Sequence, residues 1–253
     1  MRGPKSGQSE HEEVTVVLRR LSDRVHYLPA EERTDRPVLG YVKGDRYSLA
    51  VDSGNSADHV EKFYGELKEL HLRLPDFTVV THWHWDHTFG MHSVSGKTVA
   101  GHLTNARLSE VQGWQWTDEA MEMRLQSGED IEACDRCIRL EYPDRTKIKV
   151  VRADIEFAGA MSIYLGGVHC EIGEFNAPHS SDSVLVHVPE EQVVFIGDAD
   201  CGDYLQNNGR YDGARLKEMI DVLEGIGAGI VVLGHGMPQT KQEVMTYLRN
   251  ELK

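Results

Sequence analysis

The chain has 253 residues, 40% hydrophobic and 27% charged, enough to build the core of one large domain without help from its four cysteines. Its formal charge of −14, 41 acids against 27 bases, opposes phosphate backbones, and no Lys/Arg cluster offsets it, so nucleic acid is excluded as an expected partner. No run of ~18 apolar residues marks a membrane span, and the polar residues 1–10 hold no apolar signal core, so a cytoplasmic location is expected. Small-molecule substrates remain, anionic ones included, because bound divalent cations would reverse the local sign. A homodimer stays open.

In chain order, β-prone runs come first, at residues 13–18, 25–28, 39–42 and 47–51, with Gly44-Asp45 placed for a tight turn between the last two. After Ser56, the residues Val60, Phe63, Tyr64, Leu67, Leu70 and Leu74 recur at helical spacing until Pro75-Asp76 stops the run. Residues 77–81 read as a buried strand leading straight into a histidine-rich segment. A strand at 98–100 and helices at 103–111, 118–126 and 131–140 follow. Strands return at 147–151, 155–157, 161–165 and 168–172, then as a hairpin pair at 183–188 and 192–196. A helix over 213–226, a strand over 229–233 and a helix over 240–252 complete the pattern. The strands fall into two groups, each followed by helices, and two sheets packed face to face with helices outside would bury both. No repeat or low-complexity linker divides the chain, which is read as a single domain with a helical insertion at about 114–145.

Chemistry concentrates in Thr81-His82-Trp83-His84-Trp85-Asp86-His87. In an extended segment, residues two apart point the same way, so His82 and His84 can share one cation. Asp86 and His87 follow where the chain turns and can serve a second cation beside it. Trp83 and Trp85 are expected to face the other side and pack into the core. Imidazole with carboxylate suits zinc first, with manganese or iron as alternatives. Cys134-Asp135-Arg136-Cys137 has no second pair to complete a zinc site, and no strand precedes it as in a redox motif. Gly225-Ile226-Gly227-Ala228-Gly229 joins a helix to a strand, the reverse of a phosphate loop. His92, His102, His169 and His187 have no partner at ligand spacing and read as structural.

The H-x-H-x-D-H pattern resembles the signature of the metallo-β-lactamase superfamily, and the resemblance runs from about Val14 to the C-terminus. Asn176-Ala177-Pro178-His179 resembles the loop that gives the family's third histidine. Phe195-Ile196-Gly197-Asp198 resembles the strand end carrying its bridging aspartate, and Leu233-Gly234-His235-Gly236 the loop with its last histidine. The resemblance implies a four-layer αββα sandwich, of mixed α/β (α+β) class. It implies a first metal held by His82, His84 and His179 and a second held by Asp86, His87 and His235, with Asp198 shared. Asp52 resembles a neighbouring position and is read as a carboxylate that orients an imidazole. Ala177-Pro178-His179-Ser180 departs from the family's frequent Pro-Gly-His-Thr, and Cys201 follows Asp198 in an acidic stretch where it could approach the metals.

On that resemblance, the expected activity is hydrolysis of an ester, lactone, thioester or phosphoester of a small molecule by a metal-bound hydroxide. Two divalent ions per chain are expected, zinc first. Asp86 would hold the nucleophile, and Tyr204 would donate to the oxyanion as a tyrosine does in related lactonases. Asp198 and the absence of a signal core argue against the exported β-lactamases, and the 18 residues after His235 leave no room for a glyoxalase II C-terminal domain. The branch implied is glyoxalase II- or lactonase-like. The alternative is an oxidoreductase resembling the mononuclear iron persulfide dioxygenases. Trp114, Trp116, Met121 and Met123 in the insertion are expected to contact substrate as a lid.

Overall fold

The structure, a computed structural model, describes residues 18–253. One sheet runs in the order β1 (Arg19–Arg20), β2 (Val25–Leu28), β3 (Leu39–Lys43), β4 (Ser48–Val51), β5 (Phe77–Val79), β6 (Lys97–Gly101) and β7 (Ile155–Phe157). Its first four strands are antiparallel, and β4 to β7 are parallel. The second sheet begins at one edge with β8 (Ala160–Tyr164), then β9 (His169–Glu174), β10 (Val184–Val188), β11 (Val193–Phe195), β12 (Ile230–Val232) and β13 (Gln239–Thr240). Only β11 and β12 are parallel within it.

Side-chain alternation along the strands sorts the layers. In β11, Val193 and Phe195 face the other sheet and meet Val42, Leu49, Val79 and Val99. Val194 and Ile196, pointing the opposite way, pack under α6 (Gly213–Gly225) and α7 (Lys241–Glu251) through Leu216, Met219, Leu223 and Leu248. On the far side Leu39, Tyr41 and Ala50 receive Phe63 and Leu67 of α1 (Ala57–Glu69). Val80 and Ala100 receive Leu108 of α3 (His102–Val111). Four layers result, helix, sheet, sheet, helix, because each sheet has two apolar faces to bury. The expected αββα sandwich is the observed fold.

Three expectations need correction, and one lies partly out of view. Helix α1 ends at Glu69, so Leu70 and Leu74 do not extend its buried face; both are about half exposed. His71 takes a left-handed φ of 54°, which ends the helix before Pro75 is reached. Residues 147–151 alternate like a strand but pair with none among the described residues: a short 3-10 turn (Arg145–Lys147) leads into irregular chain, and Ile148 and Val150 pack on an aromatic cluster instead. Packing, not a ladder, produced that alternation. Trp85 is buried as expected, but Trp83 is only half-buried, beside the site described below. Of the strand expected at 13–18, residues 13–17 lie outside the described residues. The insertion forms α4 (Asp118–Ser127) and α5 (Glu132–Glu141), with Cys134 and Cys137 as free thiols on α5. No helix among the described residues is long and apolar enough to cross a membrane.

Leu67 is fully buried where α1 crosses the sheet. Leu67→Ala should lower unfolding stability by about 2–5 kcal/mol, read by urea denaturation with an unchanged m-value.

Candidate metal centre

Several loops leave the same edge of the sandwich and converge. The segment after β5 passes through His82 and His84 and turns into the one-turn helix α2 (Trp85–Thr88), which carries Asp86 and His87. His179 comes from the β9–β10 loop, Asp198 from the end of β11 and His235 from the end of β12. The carboxyl ends of parallel strands are where α/β sheets commonly place their ligands, because loops there open onto a crevice.

Two groups of side chains form. In the first, His84 Nδ1 lies 3.0 Å from His82 Nε2 and 2.9 Å from His179 Nε2. In the second, Asp86 Oδ2 lies 3.0 Å from both His87 Nε2 and His235 Nε2. Asp198 stands between them: Oδ1 is 3.3 Å from His87 Nε2, and Oδ2 is 3.5 Å from His235 Nε2 and 3.7 Å from His179 Nε2. The structure thus gathers His82, His84 and His179 into one group of three potential ligands and Asp86, His87, Asp198 and His235 into a group of four.

The far sides of the rings are already engaged. Asp52, buried and at φ 64°, accepts from the Thr81 N–H at 2.7 Å, the Thr81 hydroxyl at 3.0 Å and His87 Nδ1–H at 2.8 Å. Thr81 Oγ1 in turn lies 3.2 Å from His82 Nδ1. The Gly202 carbonyl accepts from His179 Nδ1 at 3.1 Å. These bonds turn Nε2 of His82, His87 and His179 inward, where each can serve as a ligand once it carries no proton. Among the described residues, His87 Nε2 and Asp198 Oδ1 are buried without a hydrogen-bond partner. A buried orphan nitrogen facing a buried orphan carboxylate oxygen is costly unless something cationic sits between them. The donor set therefore fits divalent metal. Two glycines keep the loops this close: a Cβ on Gly197, which sits at φ 54°, would strike the Thr81 hydroxyl, and one on Gly234 would overlap the Asp198 carboxylate.

A family model described as the metallo-beta-lactamase superfamily matches residues 37–235, which spans the entire ligand set. The chain belongs to the metallo-β-lactamase superfamily. Its two candidate metal-binding groups therefore sit in a hydrolase-type fold. Among solved structures, this superfamily member resembles Pisa1, a stereoselective inverting sec-alkylsulfatase from Pseudomonas sp., at 15% identity and TM-score 0.68. The match covers 94% of this chain but only 41% of that one, so the chain spans about two fifths of the sulfatase. It also resembles a metallo-beta-lactamase from Pontibacter korlensis, at 18% identity and TM-score 0.61, over 93% of this chain and 99% of that one. The DIM-1 metallo-beta-lactamase matches at 15% identity and TM-score 0.63, over 94% and 96% of the two chains. At such identities the likeness is one of fold. No curated protein matches the sequence.

Beside the two groups, this superfamily member has a cavity of about 320 Å³, lined by Asp86, His179, Asp198 and His235 together with Trp114 and Trp116. Tyr204, half-exposed, and Cys201 also line it. Cys201 belongs to neither ligand group, and burial pushes its thiol well above the usual range, so it stays protonated. In the insertion Met121 is buried in the aromatic cluster and Met123 is exposed; neither lines the cavity, unlike the two tryptophans. His102, His169 and His187 pair with Glu174, Glu190 and Glu171, and His92 bonds to the Phe89 carbonyl. Sequence reading missed Asp35, whose Oδ1 lies 3.6 Å from His235 Nδ1. It comes from the β2–β3 loop, and no local pattern marks it.

The two groups differ in charge. Burial pushes His84 down to about 3, helped by His179, and burial with His87 and His84 holds His82 well below its usual value. Burial also disfavours charge on His87 and His235. The carboxylates of Asp86, Asp52 and Asp198 nonetheless hold His87 well above its usual value, and Asp198 and Asp86 raise His235 to about 9. Both aspartates stay ionised despite burial, held down by the same histidines. A metal entering the second group must displace protons, whereas His82 and His84 are neutral beforehand. Zn²⁺ uptake by the Asp86–His87–Asp198–His235 group should thus release protons at neutral pH and tighten as pH rises towards about 9, where His235 deprotonates. Calorimetric titration of the metal-free protein in buffers of differing ionisation enthalpy checks this, with a His179→Ala variant to isolate the second group.

Proposed function

We propose that the chain is a dinuclear metal-dependent hydrolase, with zinc as its metal, that cleaves an ester, lactone, thioester or phosphoester of a small molecule. The observation that carries this reading is the shared lining: residues of both ligand groups open onto one cavity that tryptophans also line. Divalent ions held there would acidify a water and polarise the acceptor oxygen of the scissile group. The chain's own residues do the rest. Asp52 and Thr81 orient the rings of His87 and His82, and the Gly202 carbonyl orients His179, so these three ligands are held in place before any metal binds. Asp86 and Asp198 place negative charge between the groups. Tyr204, on the cavity wall, would donate its hydroxyl proton to the developing oxyanion. The 114–145 insertion is a lid whose Trp114 and Trp116 bind the apolar part of the substrate and exclude water. The sulfatase and the β-lactamase that share this fold are consistent with this class.

Protein purified without added metal should carry two zinc ions per chain by elemental analysis. Asp198→Ala should lower metal content and abolish hydrolysis together, while His179→Ala and His235→Ala should each cost on the order of 10–100-fold in metal affinity or activity. A fully loaded, active Asp198→Ala protein, or wild type carrying a single iron, would overturn the assignment.

A panel of p-nitrophenyl esters, lactones, thioesters and phosphodiesters separates the remaining roles. Tyr204→Phe should lower kcat with little change in KM, and Trp116→Ala should change KM or substrate preference with both metals retained. Unchanged relative rates on every active substrate would reject the lid.

A further inference from the structure

Asp182 lies on the β9–β10 loop, three residues after His179, and is 5% exposed. Its carboxylate collects donors from three segments. Oδ2 accepts from the Trp83 N–H at 2.9 Å and from the hydroxyl of Thr104, in the first turn of α3, at 2.7 Å. Oδ1 accepts from the hydroxyl of Ser180, the residue after His179. Among the described residues no arginine or lysine pairs with it: Arg107, on the same helix as Thr104, is held by Glu110 and Glu129. A buried carboxylate without a counter-charge is costly unless hydrogen bonds satisfy its oxygens. Three donors suit a carboxylate better than an amide, which would turn an NH2 group towards one of them.

Two of these donors belong to the segments that build the first ligand group. Trp83 separates His82 from His84, and its indole meets the His84 ring edge to face at 4.7 Å. Thr81 and Gly202 engage the outer nitrogens of His82 and His179. His84 turns Nδ1 towards those two rings, and its outer Nε2 has no hydrogen bond among the described residues. Its position therefore comes from the backbone. Asp182 anchors one side through Trp83, and the Thr88 hydroxyl, donating to the His84 carbonyl at 2.9 Å, anchors the other. Ser180 brings the loop of His179 to the same carboxylate.

We propose that Asp182 is the positioning residue of the first ligand group, clamping the His82–His84 segment to the loop of His179 and both to α3. The role rests on the two-metal reading. A His235→Ala parent isolates the first group and a His179→Ala parent the second, and competition with a chromophoric chelator reads the Zn²⁺ affinity of each. In the first parent Asp182→Ala should weaken Zn²⁺ by roughly 10–100-fold, and in the second by less than about threefold. Asp182→Asn keeps an acceptor for the Trp83 N–H and should bring the first group back to within about threefold of its parent. Thr104→Val removes only the brace to α3 and should cost the first group at least about threefold, which decides the question should Asp182→Ala not fold. Undiminished first-group affinity in these variants, equal losses in both groups, or an Asp182→Asn protein no better than Asp182→Ala would overturn the role alone. A first parent that binds no Zn²⁺ would overturn the two-metal reading, and this role with it.

Discussion

The Asp52 carboxylate is buried under the site and holds three donors at once: the Thr81 N–H, the Thr81 hydroxyl and the His87 ring. Through Thr81 Oγ1 it also reaches His82. One residue therefore sets the orientation of a ring in each ligand group. A buried carboxylate that lost these donors would pay a desolvation cost of several kcal/mol, so the network is self-enforcing: the site cannot loosen without exposing an unsatisfied charge. Asp52 adopts φ 64°, a conformation Asp tolerates better than most residues, immediately after β4. Local backbone strain is accepted there because the hydrogen bonds over-determine it.

The sandwich makes this precision available. Its interior is a close-packed set of Val, Leu and Ile from both sheets, which fixes the strand ends within a rigid frame. Each ligand loop leaves a strand by only a few residues, so little freedom is left to remove when a metal binds. Cross-links reinforce the edge: Gly234 N–H donates to the Gly197 carbonyl at 2.7 Å, Val38 N–H to the Gly234 carbonyl at 2.7 Å, and Val184 N–H to the Thr81 carbonyl at 2.7 Å. The centre itself works against folding stability, with orphaned His87 Nε2 and Asp198 Oδ1 and a close cluster of titrating groups. The apolar layers around it offset that cost.

The insertion adds a different surface to the same frame. Helices α4 and α5 pack on an aromatic cluster in which Phe89 meets Trp116 edge to face and Met121 and Ile138 fill the space behind. Buried Arg124, stacked on two indole rings, ties α4 to them and fixes their planes. The cavity thus combines the ligand residues of the sandwich with apolar residues of the insertion such as Trp114, Trp116 and Ile138. A substrate spanning the two would present its reacting group to one and its recognition group to the other.

The sequence by itself determined the chemistry. Four potential ligands in residues 82–87, directly after an apolar strand, could be read locally because strand and turn geometry alone decide which of them point together. The later loops at His179, Asp198 and His235 were legible through their resemblance to family motifs, each at the end of a strand. The helices and most strands followed from apolar periodicity, and the two-sheet architecture from their grouping. Residues 147–151 misled because alternation reports burial, and side chains packing on an aromatic cluster alternate as a paired strand does. Tertiary structure alone decided the rest. It brought Asp35 to His235, placed all four tryptophans on one cavity, and sent Met121 to the core and Met123 to solvent. These relations join residues far apart in the chain, and hydrophobic pattern fixes which face of an element is buried but not which distant side chain it will meet.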